Sequence, residues 1–99
     1  MHARISTLDL DPSRVDEVAR QLDSEQIPEF KKLDGFKGMT LHADRQSGKT
    51  IGITYWESEE AMRSSEEAVK PARQQAAETG GASSEPQVER FEVILDTMA

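Results

Sequence analysis

The chain carries two histidines, His2 and His42, and no cysteine. Disulfides, Cys-based zinc sites and a thiol nucleophile are thereby excluded. No His-x-x-x-His or related spacing joins either imidazole to a second ligand, so no metal site is expected. Ser6, Ser65 and His42 form no motif for nucleophilic catalysis. Gly35-Phe36-Lys37-Gly38 lacks the Gly-Lys-Ser/Thr ending of a phosphate loop. What remains is a set of polar and aromatic side chains on strand-like segments: Arg4 and Ser6, His42, Thr54 and Trp56, then Arg90 and Glu92. On one sheet face they would supply guanidinium groups for an anion, His42 or Glu92 as a base, and Trp56 as a wall. The alternative is a structural network in which Arg90 and Glu92 pair with Arg4 and with each other.

These residues are positioned by elements that can be read in turn. Thr50 to Trp56 is rich in β-branched and aromatic residues and reads as a strand. Ser58 can cap a following helix, with Glu59 and Glu60 at the positive end of its dipole. Trp56, the only tryptophan, sits at that join. It either closes the core there or also walls a ligand cleft. Strands are expected over about 3–8, 36–44, 50–56 and 88–95, and helices over about 12–33 and 58–79. Asp11-Pro12 or Ser13 starts the first helix, Pro28 ends or kinks it, and Asp34-Gly35 breaks it. Gly48 supplies the positive φ of a hairpin loop. Pro71 splits or restarts the second helix, and Gly80-Gly81 ends it. Glu66 and Glu67 read as a solvated helix face. The order is two split βαβ halves, an α+β, ferredoxin-like domain spanning 1–99, with a four-stranded antiparallel sheet and both helices on one face.

Strand parity divides the side chains between two faces. The odd set, Ile5, Met39, Leu41, Ile51, Ile53, Tyr55, Phe91, Val93 and Leu95, is almost wholly apolar. The even set, with Arg4, Ser6, Leu8, Phe36, Thr40, His42, Thr54, Trp56, Val88, Arg90, Glu92 and Ile94, is mixed. Two helices cover one face only, and soluble monomers avoid large exposed apolar patches. A second copy, face to face, is the simplest cover. On the second helix the inward candidates are Met62, Ser65, Val69, Ala72 and Ala76. Such small residues allow either close helix–sheet approach or a gap, and a gap against a mixed face would be a pocket.

Composition narrows the partners. Ninety-nine residues with a net charge of −7 allow one small domain and argue against nucleic acid or an anionic membrane surface. No apolar run approaches a transmembrane span, and Met1-His2-Ala3-Arg4 leads into a strand rather than a signal peptide. A cytoplasmic setting is expected.

Three stretches, Leu33-Asp34-Gly35-Phe36-Lys37-Gly38-Met39, Thr54-Tyr55-Trp56-Glu57-Ser58-Glu59-Glu60-Ala61-Met62 and Phe91-Glu92-Val93-Ile94-Leu95, resemble the antibiotic biosynthesis monooxygenase domain family. The resemblance implies a dimeric α+β barrel with a site between sheet and helices. It implies one of two chemistries: cofactor-free oxidation of aromatic polyketides, or haem degradation. The haem-degrading branch uses an Asn on the first strand, a Trp in the second helix and a His further along. The matching positions here are Ser6, Ser65 and Gln74 or Gln75, and the chain has no Asn. Haem degradation is therefore disfavoured. Ser6 at the Asn position turns the even face to the helices and leaves the odd face for the dimer; the opposite assignment stays open.

Two functions follow. One is a cofactor-independent monooxygenase acting on a small phenol- or quinol-like aromatic. In it His42 or Glu92 is the base, and Arg4, Ser6, Trp56, Met62, Ser65 and Arg90 bind substrate, with no cofactor or metal. The other is a non-catalytic dimeric module that binds a small molecule or a protein. Convergence of Arg4, His42 and Glu92 on one cavity would separate them.

Overall fold

A computed structural model describes residues 1–98. Strand β1 runs His2–Asp9. A 3-10 turn at Pro12–Arg14 leads into helix α1, Val15–Gln21; a π-helical turn, Leu22–Gln26, joins it to the short α2, Ile27–Phe30. Strands β2, Phe36–Ala43, and β3, Lys49–Trp56, form a hairpin. Helices α3, Glu59–Ser64, and α4, Glu66–Thr79, follow, and β4, Gln87–Glu92, closes the sheet. The strand order is β2-β3-β1-β4, all neighbours antiparallel. This is the ferredoxin-like arrangement, with β1 and β3 central.

Local chemistry accounts for most of the element ends. The Asp11 side chain accepts from the Ser13 backbone N–H at 2.9 Å and opens the first helical turn. Ser58 Oγ accepts from the Ala61 N–H at 3.1 Å and caps α3, with Glu59 and Glu60 in its first turn. Gly48 takes φ +83° in the β2–β3 loop, where a Cβ would lie 1.9 Å from the Leu10 carbonyl oxygen.

Pro28 does not end its helix, which is irregular there: a π-helical turn over Leu22–Gln26 precedes it, and Pro28 lies in the first turn of the next segment. The chain widens just before it, and the Ile27 N–H reaches back to the Leu22 carbonyl. A turn loosened in this way accommodates a residue that has no N–H and whose ring crowds the preceding turn. The second helical segment breaks at Ser65, not at Pro71, which lies inside α4. Pro71 and Glu67 are both exposed, so water can take the carbonyl that Pro71 leaves without a donor. The last strand stops at Glu92, three residues before the expected end at Leu95.

The core lies between sheet and helices in two clusters. Leu8, Leu10, Val15, Val18, Leu22 and Ala76 form one; Phe30, Trp56, Met62, Val69 and Ala72 form the other. Met39 packs against both. The face carrying Arg4, Leu8, Thr54 and Trp56 is thus the one the helices cover.

Strand β2 departs from simple parity. Phe36 pairs with Trp56, but Gly38 pairs with Tyr55, so Lys37 is an extra residue in the ladder. Gly38 takes φ +148°, a conformation L side chains rarely adopt. Beyond this bulge, Met39 and Leu41 stand opposite Thr54 and Gly52, on the helix side. Thr40 and His42 stand opposite Ile53 and Ile51, on the outer side. The expected faces of Met39, Leu41, Thr40 and His42 are therefore exchanged.

Candidate active site between sheet and helices

Arg4 enters from β1 and is almost fully buried, with its side chain 1% exposed. Its Nη2 donates to the Met62 carbonyl oxygen and to Ser65 Oγ, at 3.1 Å for the latter. Ser65 Oγ in turn donates to the same Met62 carbonyl at 2.7 Å. The break between α3 and α4 thus exposes backbone and hydroxyl acceptors to a buried cation. The Arg4 guanidinium carbon lies 5.6 Å from the Trp56 ring centroid, within cation–π range.

Glu66, the first residue of α4, gathers three arginines. Its carboxylate is 3.0 Å from Arg4 Nη2, 2.9 Å from Arg90 Nη2 and 3.6 Å from Arg73 Nη2. Partial burial works to raise its pKa. The hydrogen bond from Arg90 and the charges of Arg4, Arg90 and Arg73 outweigh it, so the carboxyl titrates below its ordinary value. Burial lowers the pKa of Arg4 and Arg73, with Glu66 opposing the shift in each case. Both remain cationic, as guanidinium groups do.

Next to this cluster lies a cavity of about 40 Å3. Its wall is mostly apolar, with Leu8, Phe30, Met39, Leu41, Val69, Ala72 and Ala76; its polar groups are Ser6, Thr50, Thr54 and Arg73. The small residues of α4 therefore leave a gap rather than a close contact. Arg73 Nε donates to Ser6 Oγ at 3.1 Å and joins the cavity to the arginine cluster.

Of the residues the sequence puts forward, Ser6 and Thr54 line this cavity from the sheet, and Val69, Ala72 and Ala76 from the second helix. Arg4, Met62, Ser65 and Arg90 belong to the adjoining cluster. Trp56 is fully buried one layer behind the cavity, donating from Nε1 to Thr54 Oγ1 at 3.0 Å. It packs edge-on to Phe36 at 5.4 Å between centroids. His42 is across the sheet, its Nε2 3.0 Å from Thr40 Oγ1, because the β2 bulge turned it outward. Glu92 is on the helix-side face opposite His2 in register, but exposed at the end of an edge strand. Arg4, His42 and Glu92 thus do not converge.

Glu66 and Arg73 are the residues that sequence reasoning missed. Glu66 is no solvated face. Both lie on the helix face of Val69, Ala72 and Ala76, Glu66 and Arg73 being seven residues apart. Carrying that inward face through its charged members would have found them. Among the described residues, no group of three His, Cys, Asp or Glu side chains is placed to hold a metal ion. Among them, too, no helix is long and apolar enough to cross a membrane.

This architecture is the antibiotic biosynthesis monooxygenase fold that the sequence motifs resemble. It is shared with a monooxygenase from the gene ActVA-Orf6 of Streptomyces coelicolor, in complex with nanaomycin D. That structure has a TM-score of 0.80 and 17% identity, over 99% of this chain and 91% of that one. SnoaB of Streptomyces nogalater, a cofactor-independent oxygenase seen as a point mutant, has a TM-score of 0.69 and 14% identity, over 97% and 95% of the two chains. The uncharacterised protein Rv2558 of Mycobacterium tuberculosis is 39% identical over 77 residues, which is 78% of this chain and 33% of that protein. The chain spans between a third and about two-fifths of the length of the curated mycobacterial relatives it matches. No protein-family model matches it.

Proposed function

We propose that this protein is a cofactor-independent monooxygenase acting on a small electron-rich aromatic of the phenol or hydroquinone kind. The observation that carries this reading is the largely apolar cavity between sheet and helices. An ionised phenol can pass electrons to dioxygen directly. Overall, a phenol becomes a para-quinone: one oxygen atom enters the ring. The other leaves as water with the displaced ring hydrogen and the phenolic hydrogen. The protein contributes a dry site and donors that stabilise the anion, for which Ser6, Thr54 and Arg73 are placed. Oxygen uptake by the chelator-dialysed protein with a panel of substituted hydroquinones and anthrones tests this. Uptake no faster than with heat-denatured protein sinks the oxygenase. The non-catalytic binding module would then stand, favoured by two observations: Arg4, His42 and Glu92 do not converge on the cavity, and among the described residues Arg73 is the only ionisable side chain on its wall.

Haem degradation fits poorly. At positions matching the haem-degrading branch, Ser6 Oγ accepts from Arg73 Nε at 3.1 Å and Gln75 Oε1 accepts from Gln26 Nε2 at 2.6 Å, so both are engaged within the protein. With haem and a reductant, the Soret band is expected to persist; steady conversion to a biliverdin-like spectrum would overturn this.

We also propose that a second copy covers the outer sheet face. Ile5, Ile51, Ile53 and Tyr55 are only half-buried there, and Phe91 is 49% exposed. Beyond β4, Ile94, Leu95 and Met98 are 89%, 78% and 72% exposed, an apolar segment of the kind that contacts between copies bury. Sedimentation equilibrium at micromolar concentration is expected to give twice the chain mass; a folded species of 11.0 kDa would count against it.

A further inference from the structure

A second depression lies outside the cavity: a surface groove of about 870 Å3 between α4 and the segment that leads into β4. Among the described residues, Arg73 alone lines both. Its side chain is 10% exposed, so it is the wall between them. That wall is under-satisfied. Nε is bonded to Ser6, but Nη2 has no hydrogen-bond partner, and the Glu66 carboxylate stands off at 3.6 Å. Nε and Nη1 of the neighbouring Arg4 also lack partners. Three arginines share one carboxylate, a local charge of +3 − 1 = +2, in a chain whose net charge is −7. A buried guanidinium with unmet N–H groups is unfavourable until an anion completes it. On the groove side, Lys70 adds a cation, with Glu78 and Glu85 further along the rim.

Size makes the same point. A cavity that takes a single benzene ring is on the order of 150 Å3, several times the volume of this one. The remaining wall consists of packed core side chains and strand residues. Arg73 is the long side chain whose displacement joins cavity to groove.

We propose that the ligand is an aromatic acid: its ring lies between sheet and helices, and its carboxylate is held at the groove by Arg73, which leaves Ser6 to open the wall. This deepens the reading of the cavity as an aromatic site and rests on it.

Calorimetric titration with 2-naphthoate and 2-naphthamide, which share ring and shape but differ in charge, tests it without any turnover. The wild-type protein is expected to bind the acid at least about tenfold more tightly, the scale of a charged hydrogen bond. Arg73→Gln should abolish the difference between acid and amide, Arg73→Lys should keep part of it, and Lys70→Gln should keep nearly all. Equal wild-type affinities overturn the acid assignment and leave the aromatic site standing; binding of neither compound overturns both. A preference that survives Arg73→Gln but not Lys70→Gln places the anion on the surface and also overturns it. Should Arg73→Gln fail to fold, Arg73→Lys and the wild-type pair decide alone.

Discussion

Replacing Trp56 with alanine will lower the free energy of unfolding by about 3–5 kcal/mol, the range for deleting a fully buried aromatic. The indole is 0% exposed and touches elements from both halves of the chain. Phe36 meets it edge-on, Phe30 meets Phe36 in the same way at 5.9 Å, and Met62 and Val69 close over it from the helices. Alanine would leave an apolar void at the join of β3 and α3, and would strip Arg4 of the ring beneath its guanidinium. Trp56→Phe keeps much of the volume and loses the hydrogen bond to Thr54, so a smaller cost of about 1–2 kcal/mol is expected. Urea unfolding followed by far-ultraviolet circular dichroism measures both. A loss below about 1 kcal/mol for the alanine variant would show that the site collapses around the missing ring.

Glu66→Gln comes second, at about 2–3 kcal/mol. Breaking a buried ion pair by removing one partner typically costs about 3–5 kcal/mol. Glu66 keeps 28% of its side-chain surface in water, which discounts that figure. Arg4 suffers most, because it is nearly inaccessible to solvent and Glu66 is its one carboxylate partner among the described residues. The pH dependence has a definite sign. Glu66 has a lower pKa in the folded protein than its ordinary value. Its stabilising contribution is complete above the unfolded pKa, about 4.3, and is lost as the pH falls through the folded one. The gap between wild type and Glu66→Gln should stay constant from pH 7 to about 5 and narrow on further acidification. A gap that holds unchanged to pH 3 would mean that charge at Glu66 is not what stabilises the cluster.

The legible parts of this fold are those fixed by neighbours in sequence. Ser58 caps α3 because its hydroxyl is three residues from the N–H it receives. Gly48 turns the hairpin because the loop is short. The strand order follows from the alternation of strand and helix periods. What escaped depends on partners far along the chain. Ser65 ends α3 where Arg4, some sixty residues earlier, competes for the Met62 carbonyl. Glu66 looks like one acid in a polar run until three arginines from β1, α4 and β4 surround it. The site suffered more than the fold: parity through β2 fails after Lys37, and with it the placement of His42. A glycine inside a strand pattern is a known mark of a bulge, so Gly38 was the one local warning.

That bulge behaves like a frameshift in a coding message. Every residue of β2 downstream of Lys37 changes side at once, so the core's Met39 and Leu41 and the outer face's Thr40 and His42 depend on a single uncounted position. Related chains with and without the extra residue would exchange inner for outer positions while their sequences still align by eye. Residue-by-residue transfer of a role onto this strand is sound only once the frame of each chain is known.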